Sequence, residues 1–470
     1  MNRSNPPALP MSKSKGLSTS ARLKTRFDKL SVSALLAAAL VSSPALAQEE
    51  PPPVEVEIVG GSVKAGTIVA VPAMPTPVDI PTPAGSTATI GRAVADVIAS
   101  GLRASGQLNP LGPEGLPAYT YPQATRPSFP DWRQTGAQQL VAGFVEARPD
   151  GQITVGCYLY DVTTGRELTR QGFVVAPASW KRAATKCADT VYSRLTGEGA
   201  FLDTRVVFVA ETGPKSQRIK RIAIMDSDGS NLRYLTQGEA TVVTPRFSPD
   251  GSRLAYVSYQ GRRARVWVLD LATGQKRLLV PGLAQTSAPR FSPDGRRIAY
   301  ALSANGNTDI WIANADGSGT PQQLTTAPGI DTSPSFSPDG GRIVFESDRS
   351  GSQQLYVMNA DGLSQRRISF GGGAYGSPAW SPDGSRIAFV RVGAFRIGVM
   401  NATGGGERIL TDGWQDESPS WAPNGQFVMF NRFNRGGNSS LFAVPVNGGT
   451  ARRLPTPQDG SDPSWSPLQR

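Results

Sequence analysis

Aspartates and small hydroxyl residues recur in this chain in short words whose spacing could hold a cation. Asp226-Ser227-Asp228-Gly229 has the opening of a calcium loop, and Ser-Pro-Asp-Gly stands at 248–251, 292–295, 337–340 and 381–384. A calcium loop needs glycine at its sixth position and a bidentate glutamate at its twelfth, where this chain has Asn231 and Gln237. The same place in later repeats reads Asn314-Ala315-Asp316-Gly317 and Asn359-Ala360-Asp361-Gly362. An Asp-Gly locked to one place in a repeat is turn chemistry, because Asp bonds its own backbone and Gly takes a positive φ. That leaves Asp331, Asp416, Glu417 and Asp462 as isolated acids that could serve a lyase or glycosidase.

Nucleophilic chemistry has fewer candidates still. The chain has no histidine, which removes Ser-His-Asp and Cys-His catalysis and the commonest zinc ligand. It has no Gly-x-Ser-x-Gly elbow and no phosphate-binding Gly-x-x-x-x-Gly-Lys-Ser/Thr loop. No catalytic residue, metal or cofactor is expected. The two cysteines, Cys157 and Cys187, lie in phase with the apolar positions of a strand and of a helix. Both face one strand–helix interface, where either a disulfide or two buried thiols would fit.

The elements that carry these words repeat. Phe/Trp-Ser-Pro-Asp-Gly begins at Phe247, Phe291, Phe336 and Trp380, a degraded copy runs from Trp421 to Gly425, and Trp465-Ser466-Pro467 ends the series. The prolines upstream (Pro245, Pro289, Pro334, Pro378, Pro419, Pro463) are 44, 45, 44, 41 and 44 residues apart. A strand-rich period of that length predicts propeller blades. Second strands starting at Arg205, Arg253, Arg297, Arg342, Arg386 and Gln426 give six. The first copy lacks an inner strand and the last fragment is an inner strand alone, so the C-terminus should close the ring and leave no open edge.

At 470 residues the chain has room for more than the propeller at 204–470. Residues 1–47 read as an export signal: a basic stretch with Arg22, Lys24, Arg26 and Lys29, an apolar run from Val32 to Val41, then Ala45-Leu46-Ala47. The formal charge of +11 falls to +5 without that leader, and no basic run with interleaved aromatics points to nucleic acid. Residues 48–53 are an acidic, proline-rich leader, and 54–200 an α/β domain. There Thr87–Leu102 and Trp180–Leu195 read as helices, and Gln138–Val145, Ile153–Asp161 and Leu168–Val175 as strands, with a proline-studded loop over 109–130.

Several words then resemble the TolB family, the periplasmic component of the Tol–Pal cell-envelope system. They include Phe129-Pro130-Asp131-Trp132-Arg133, Tyr192-Ser193-Arg194-Leu195-Thr196-Gly197-Glu198, Lys220-Arg221-Ile222-Ala223-Ile224-Met225-Asp226, Ile330-Asp331-Thr332-Ser333-Pro334 and the terminal Asp462-Pro463-Ser464-Trp465-Ser466-Pro467. The resemblance spans about residues 54–470. It implies a periplasmic, non-enzymatic adaptor whose propeller binds the lipoprotein Pal and whose mature N-terminal segment binds TolA, supporting outer-membrane integrity and constriction at division. Other outer-membrane or peptidoglycan-associated proteins are further candidate partners; direct membrane insertion is not expected. A carbohydrate- or peptidoglycan-binding propeller is the alternative, and a histidine-free propeller enzyme a more distant one.

Two partner sites follow. Loops entering the inner strands surround one mouth of a propeller and differ between blades ahead of the shared proline. They place Thr244, Gln285, Thr286, Ala288, Thr332, Ser333, Ser377 and Ser418 at a Pal-binding rim. Val54, Glu55, Val56, Glu57 and Ile58 alternate as a strand that could add to an edge of TolA.

Overall fold

The computed structural model describes residues 66–260, 263–282 and 284–469. The export signal, the proline-rich leader and the 54–58 segment lie outside those residues.

The N-terminal domain is a five-stranded sheet in the order 108–111, 67–70, 139–147, 153–161, 167–175. Its first two pairings are parallel and the others antiparallel. The helix Thr87–Ser105 starts where Ser86 accepts a hydrogen bond from the Thr89 N–H and stops at Gly106, whose φ is 69°. With Trp180–Thr196 it covers one sheet face through Ile90, Val94, Ile98, Ala184 and Val191. Cys157 and Cys187 are bonded across that contact, with Cα atoms 5.9 Å apart.

The 109–130 segment expected as a loop does more. Leu108–Leu111 is an edge strand paired to Thr67–Ala70. The remainder, with a short helix Phe129–Gln134, covers the sheet's second face. Tyr119 packs edge-on to Trp132 and exchanges hydrogen bonds with Gly143. A sheet with apolar side chains on both faces needs two covers, and proline-rich chain supplies one of them.

Residues 205–465 form six four-stranded sheets, numbered here as blades 1 to 6 from Arg205, Thr241, Gln285, Asp331, Ala374 and Gln415. Blade 1 takes its innermost strand from the C-terminus: Asp459–Trp465 pairs antiparallel with Arg205–Thr212, Asp459 opposite Glu211 and Trp465 opposite Val206. The ring is closed as the sequence predicts.

Each intact Ser-Pro-Asp-Gly turn is held by its own side chains. In blade 2 the Ser248 hydroxyl donates to Asp250 and accepts from the Arg253 N–H, and Asp250 also accepts from the Ser252 N–H. Those donors hold the Asp250 carboxyl down to about 2.

Candidate functional site

The residues placed at the rim do not lie in loops. They occupy the first half of longer innermost strands such as Gln285–Phe291, and every one of these strands is bulged there. Pairing breaks between Val243 and Arg246, Ser287 and Arg290, Thr332 and Ser335, Gly376 and Ala379, Glu417 and Ser420, and Ser461 and Ser464. The cause is the proline, which has no N–H to give to a ladder, so the strand sheds a residue from the pairing. The residue before each proline is left-handed: Thr244, Ala288, Ser333, Ser377, Ser418 and Asp462 have φ between 49° and 57°. Six residues bearing a Cβ in that region, one per blade, make a strained ring.

Neighbouring blades hold this ring. Asp462 accepts from the Thr244 N–H at 3.2 Å and from the Ser418 hydroxyl at 2.8 Å, while its own N–H donates to Asn431 at 3.2 Å. Glu346 accepts from the Ser377 N–H at 3.0 Å and from Gln353 at 2.6 Å. Burial pushes the Glu346 carboxyl up to about 7. Gly376 makes room for it, since a Cβ there would meet the carboxylate at 2.9 Å. Ala288, Thr332, Ser333, Ser377 and Ser418 are half-buried and Gln285 is exposed. Thr286 is turned inward, its hydroxyl accepting from the Val266 N–H at 2.9 Å.

The isolated acids are committed to structure. Asp331 is fully buried and takes Arg349 at 2.6 Å, and Asp416, equally buried, is held in bidentate fashion by Arg432 at 2.6 and 2.8 Å. Glu417 is bonded by Gln415 at 2.7 Å, and burial raises its carboxyl. Among the described residues no group of three or more Cys, Asp or Glu is placed to hold a metal ion.

The two propeller faces differ in what covers them. The N-terminal domain sits on the side of the Ser-Pro-Asp-Gly turns, at blades 6 and 1. Asn424 donates to the Gly199 carbonyl at 3.0 Å, Ser227 to that of Leu202 at 2.6 Å, and Trp465 to the Thr204 hydroxyl at 2.8 Å. Lys181 pairs with Asp228 at 2.7 Å, and Ala422 and Phe427 join the N-terminal core. A cleft of about 680 Å³ remains in this junction, lined by Ser100, Arg182, Leu202, Asp226 and Arg453 among others. The rim lies at the other end of the innermost strands, clear of that domain.

Family models match both parts: the TolB amino-terminal domain over 54–168 and the TolB beta propeller domain over 192–469. The chain belongs to the TolB family. It is 57% identical over 436 residues to the Tol-Pal system protein TolB of Rhizorhabdus wittichii, covering 92% of this chain and 98% of that one. With the Zymomonas mobilis protein of the same name it shares 52% over 414 residues, covering 88% and 90%. The crystal structure of TolB from Acinetobacter baumannii superposes with a TM-score of 0.75 at 27% identity, over 87% of this chain and 99% of that one. Like its relatives, this TolB-family chain is periplasmic.

Two residues on the rim side escaped the sequence reading. Phe370 and Trp414 lie between the outer strand of one blade and the innermost strand of the next, in adjacent connections, 74% and 61% exposed. Arg367 lies over the Phe370 ring at 5.3 Å and Arg435 over Trp414 at 5.0 Å. Phe370 in Ser-Phe-Gly-Gly-Gly and Trp414 in Asp-Gly-Trp occupy connections that hold no aromatic residue in the other four blades. Aromatics standing in connections that otherwise lack them were the available signal.

Proposed function

We propose that this chain is a non-enzymatic adaptor of a Tol–Pal system, receiving the lipoprotein Pal at the propeller rim and TolA on the segment Val54–Ile58. The observation that carries the reading is the uncovered rim with its exposed aromatics. Large exposed rings backed by arginines resemble the anchors that dominate binding energy at protein interfaces, and the same face offers the bulged residues Ala288, Thr332, Ser333, Ser377 and Ser418. Their small side chains let a partner's backbone approach closely. Of the rim acids that could have served an enzyme, Asp331 and Asp416 are held by Arg349 and Arg432 and Glu417 and Asp462 by neutral donors, which favours binding over turnover.

Calorimetric titration of the mature chain with Pal and with TolA tests both halves. Trp414→Ala should weaken Pal binding at least tenfold and leave TolA binding unchanged, whereas removing residues 48–58 should do the reverse. Unchanged Pal affinity in both Trp414→Ala and Phe370→Ala would place the partner elsewhere.

A further inference from the structure

The residue after each bulge proline forms a second ring, one step deeper along the innermost strands. It reads Arg246, Arg290, Ser335, Ala379, Ser420 and Ser464 through blades 2 to 6 and 1. Four of the six are small, and the two arginines are neighbours. The small members serve the ring itself: Ser335 accepts from the Trp380 N–H and Ser420 from the Trp465 N–H, each binding the next blade.

The arginines bring charge that nothing hydrogen-bonded to them neutralises. Arg246 is 7% exposed, and its guanidinium donates to the carbonyls of Pro245 and Pro463, each at 3.0 Å. Arg290 keeps some contact with solvent and donates to the Pro289 carbonyl at 3.2 Å. Neither forms an ion pair with a described residue. The carboxylate of the left-handed ring, Asp462, is hydrogen-bonded to Thr244 and Ser418 instead. Further donors on the ring are unspent: among the described residues the Asn431 amide nitrogen and the Thr244 hydroxyl are buried with no hydrogen-bond partner, and both residues are bonded to Asp462 through their other groups.

A guanidinium carries five donors in a planar fork, and burying it unpaired is costly. Two placed side by side add mutual repulsion. Burial lowers Arg246 to about 10, and Arg290 is driven well down by burial and by the charge of Arg246; the Asp462 charge offsets these effects only in part. What offsets both costs at once is an anion with several acceptor oxygens.

We propose that Arg246 and Arg290 form an oxyanion site within the central channel, suited to a phosphate group or a carboxylate, with Asn431 and Thr244 as auxiliary donors. The site is distinct from the rim contact proposed for Pal and does not depend on it. Arg246 has a second, structural duty, since its bond to Pro463 ties blade 2 to the closing strand. Among the described residues Arg290 bonds only its own neighbour, so it is the one to substitute.

The test is thermal unfolding of the mature chain titrated with sodium phosphate, against sodium chloride at matched ionic strength. The parent should show a saturable rise in Tm with phosphate that chloride does not reproduce. Arg290→Gln should weaken the apparent phosphate affinity at least tenfold. In buffer without oxyanions its Tm should equal or exceed the parent's, since an uncompensated charge has been removed. Acetate in place of phosphate separates the sources: competition by acetate assigns the site to carboxylates as well, and its failure restricts it to phosphate. A phosphate response matched by chloride, or kept in Arg290→Gln, would overturn the proposal. So would a Tm drop of Arg290→Gln in oxyanion-free buffer, which would make the residue structural.

Discussion

Phe201, in the connection between the domains, stacks on Phe427 of blade 6 with ring centroids 4.8 Å apart and 28° between planes. The pair explains why the last repeat is degraded. The second strand of blade 6 starts at Phe427 and not at Gln426, and the position of Phe427 holds arginine in the other blades (Arg205, Arg253, Arg297, Arg342, Arg386), while Ala422 replaces the turn serine and Asn424 the turn aspartate. All three changes face the N-terminal domain: Ala422 and Phe427 enter its core, and Asn424 reaches Gly199. The connection is fixed as well, because Asp189 accepts from the N–H groups of Phe201, Leu202 and Asp203, each at 2.8 Å.

Restoring the repeat at this position should therefore uncouple the domains. Phe427→Arg would bury a guanidinium against Phe201, and Phe201→Ala would leave a cavity worth about 3–5 kcal/mol. Scanning calorimetry should resolve separate transitions for the two domains in either variant, where the parent gives a more merged one. A single transition at the parental temperature in both would show that the stack does not couple them.

The closing strand is the next dependency. Deleting residues 459–470 removes the ladder to Arg205–Thr212, the Ser461–Glu211 and Trp465–Thr204 hydrogen bonds and the Pro463 carbonyl that Arg246 uses. It exposes the apolar edge of blade 1. Low yield and aggregation on size-exclusion chromatography are expected; a monomer with the parental Tm would contradict this role for the strand.

These dependencies show where the sequence was legible. The 44-residue rhythm of the prolines determines blade number and closure, because each blade repeats one burial pattern. The bulges were hidden because the residues before proline share no side-chain type: Thr244, Ala288, Ser333 and Asp462 have only their φ in common. The second cover of the N-terminal sheet was hidden because Tyr119, Phe129 and Trp132 are irregularly spaced among prolines, without the period of a helix or strand. Phe370 and Trp414 gave only their place in connections that hold no aromatic in the other blades.

The disulfide predicts a redox-dependent stability. It closes a sequence separation of 30 residues, for which chain-entropy reasoning gives about 3–4 kcal/mol. Replacing both cysteines with alanine should lower the denaturant midpoint of the N-terminal domain. Neither thiol should react with an alkylating reagent before reduction; rapid labelling of the unreduced, unfolded protein would mean two free thiols.

Glu346 predicts a pH dependence of stability. Its carboxyl is raised in the folded state from 4.5 to about 7, so the folded protein holds a proton that the unfolded chain releases between those values. The associated stability is present below about pH 4.5 and is lost as pH rises through 7, by at most about 3 kcal/mol. Glu346→Gln keeps an acceptor for the Ser377 N–H and cannot ionise. The parent should therefore gain stability relative to this variant as pH falls from 8 to 5, read as the difference between their urea midpoints. A constant difference across that range would mean that Glu346 ionises as an ordinary surface acid does.

The strained ring separates rim shape from rim strain. Ala288, at φ 49°, carries a Cβ in a region that glycine occupies freely, so Ala288→Gly relieves the strain while adding unfolded-state entropy. These oppose each other, and relief should prevail by up to about 1 kcal/mol because the left-handed conformation is imposed by the bulge at Pro289. Ala288→Arg keeps the Cβ and hence the strain, and places a long charged side chain where a partner's backbone would approach. Folding should be unaffected in both variants. Pal binding should weaken markedly only in Ala288→Arg, as with Thr332→Arg on the neighbouring blade. Loss of Pal affinity in Ala288→Gly as well would show that the partner reads the imposed backbone, and parental affinity in both arginine variants would move the contact off the rim.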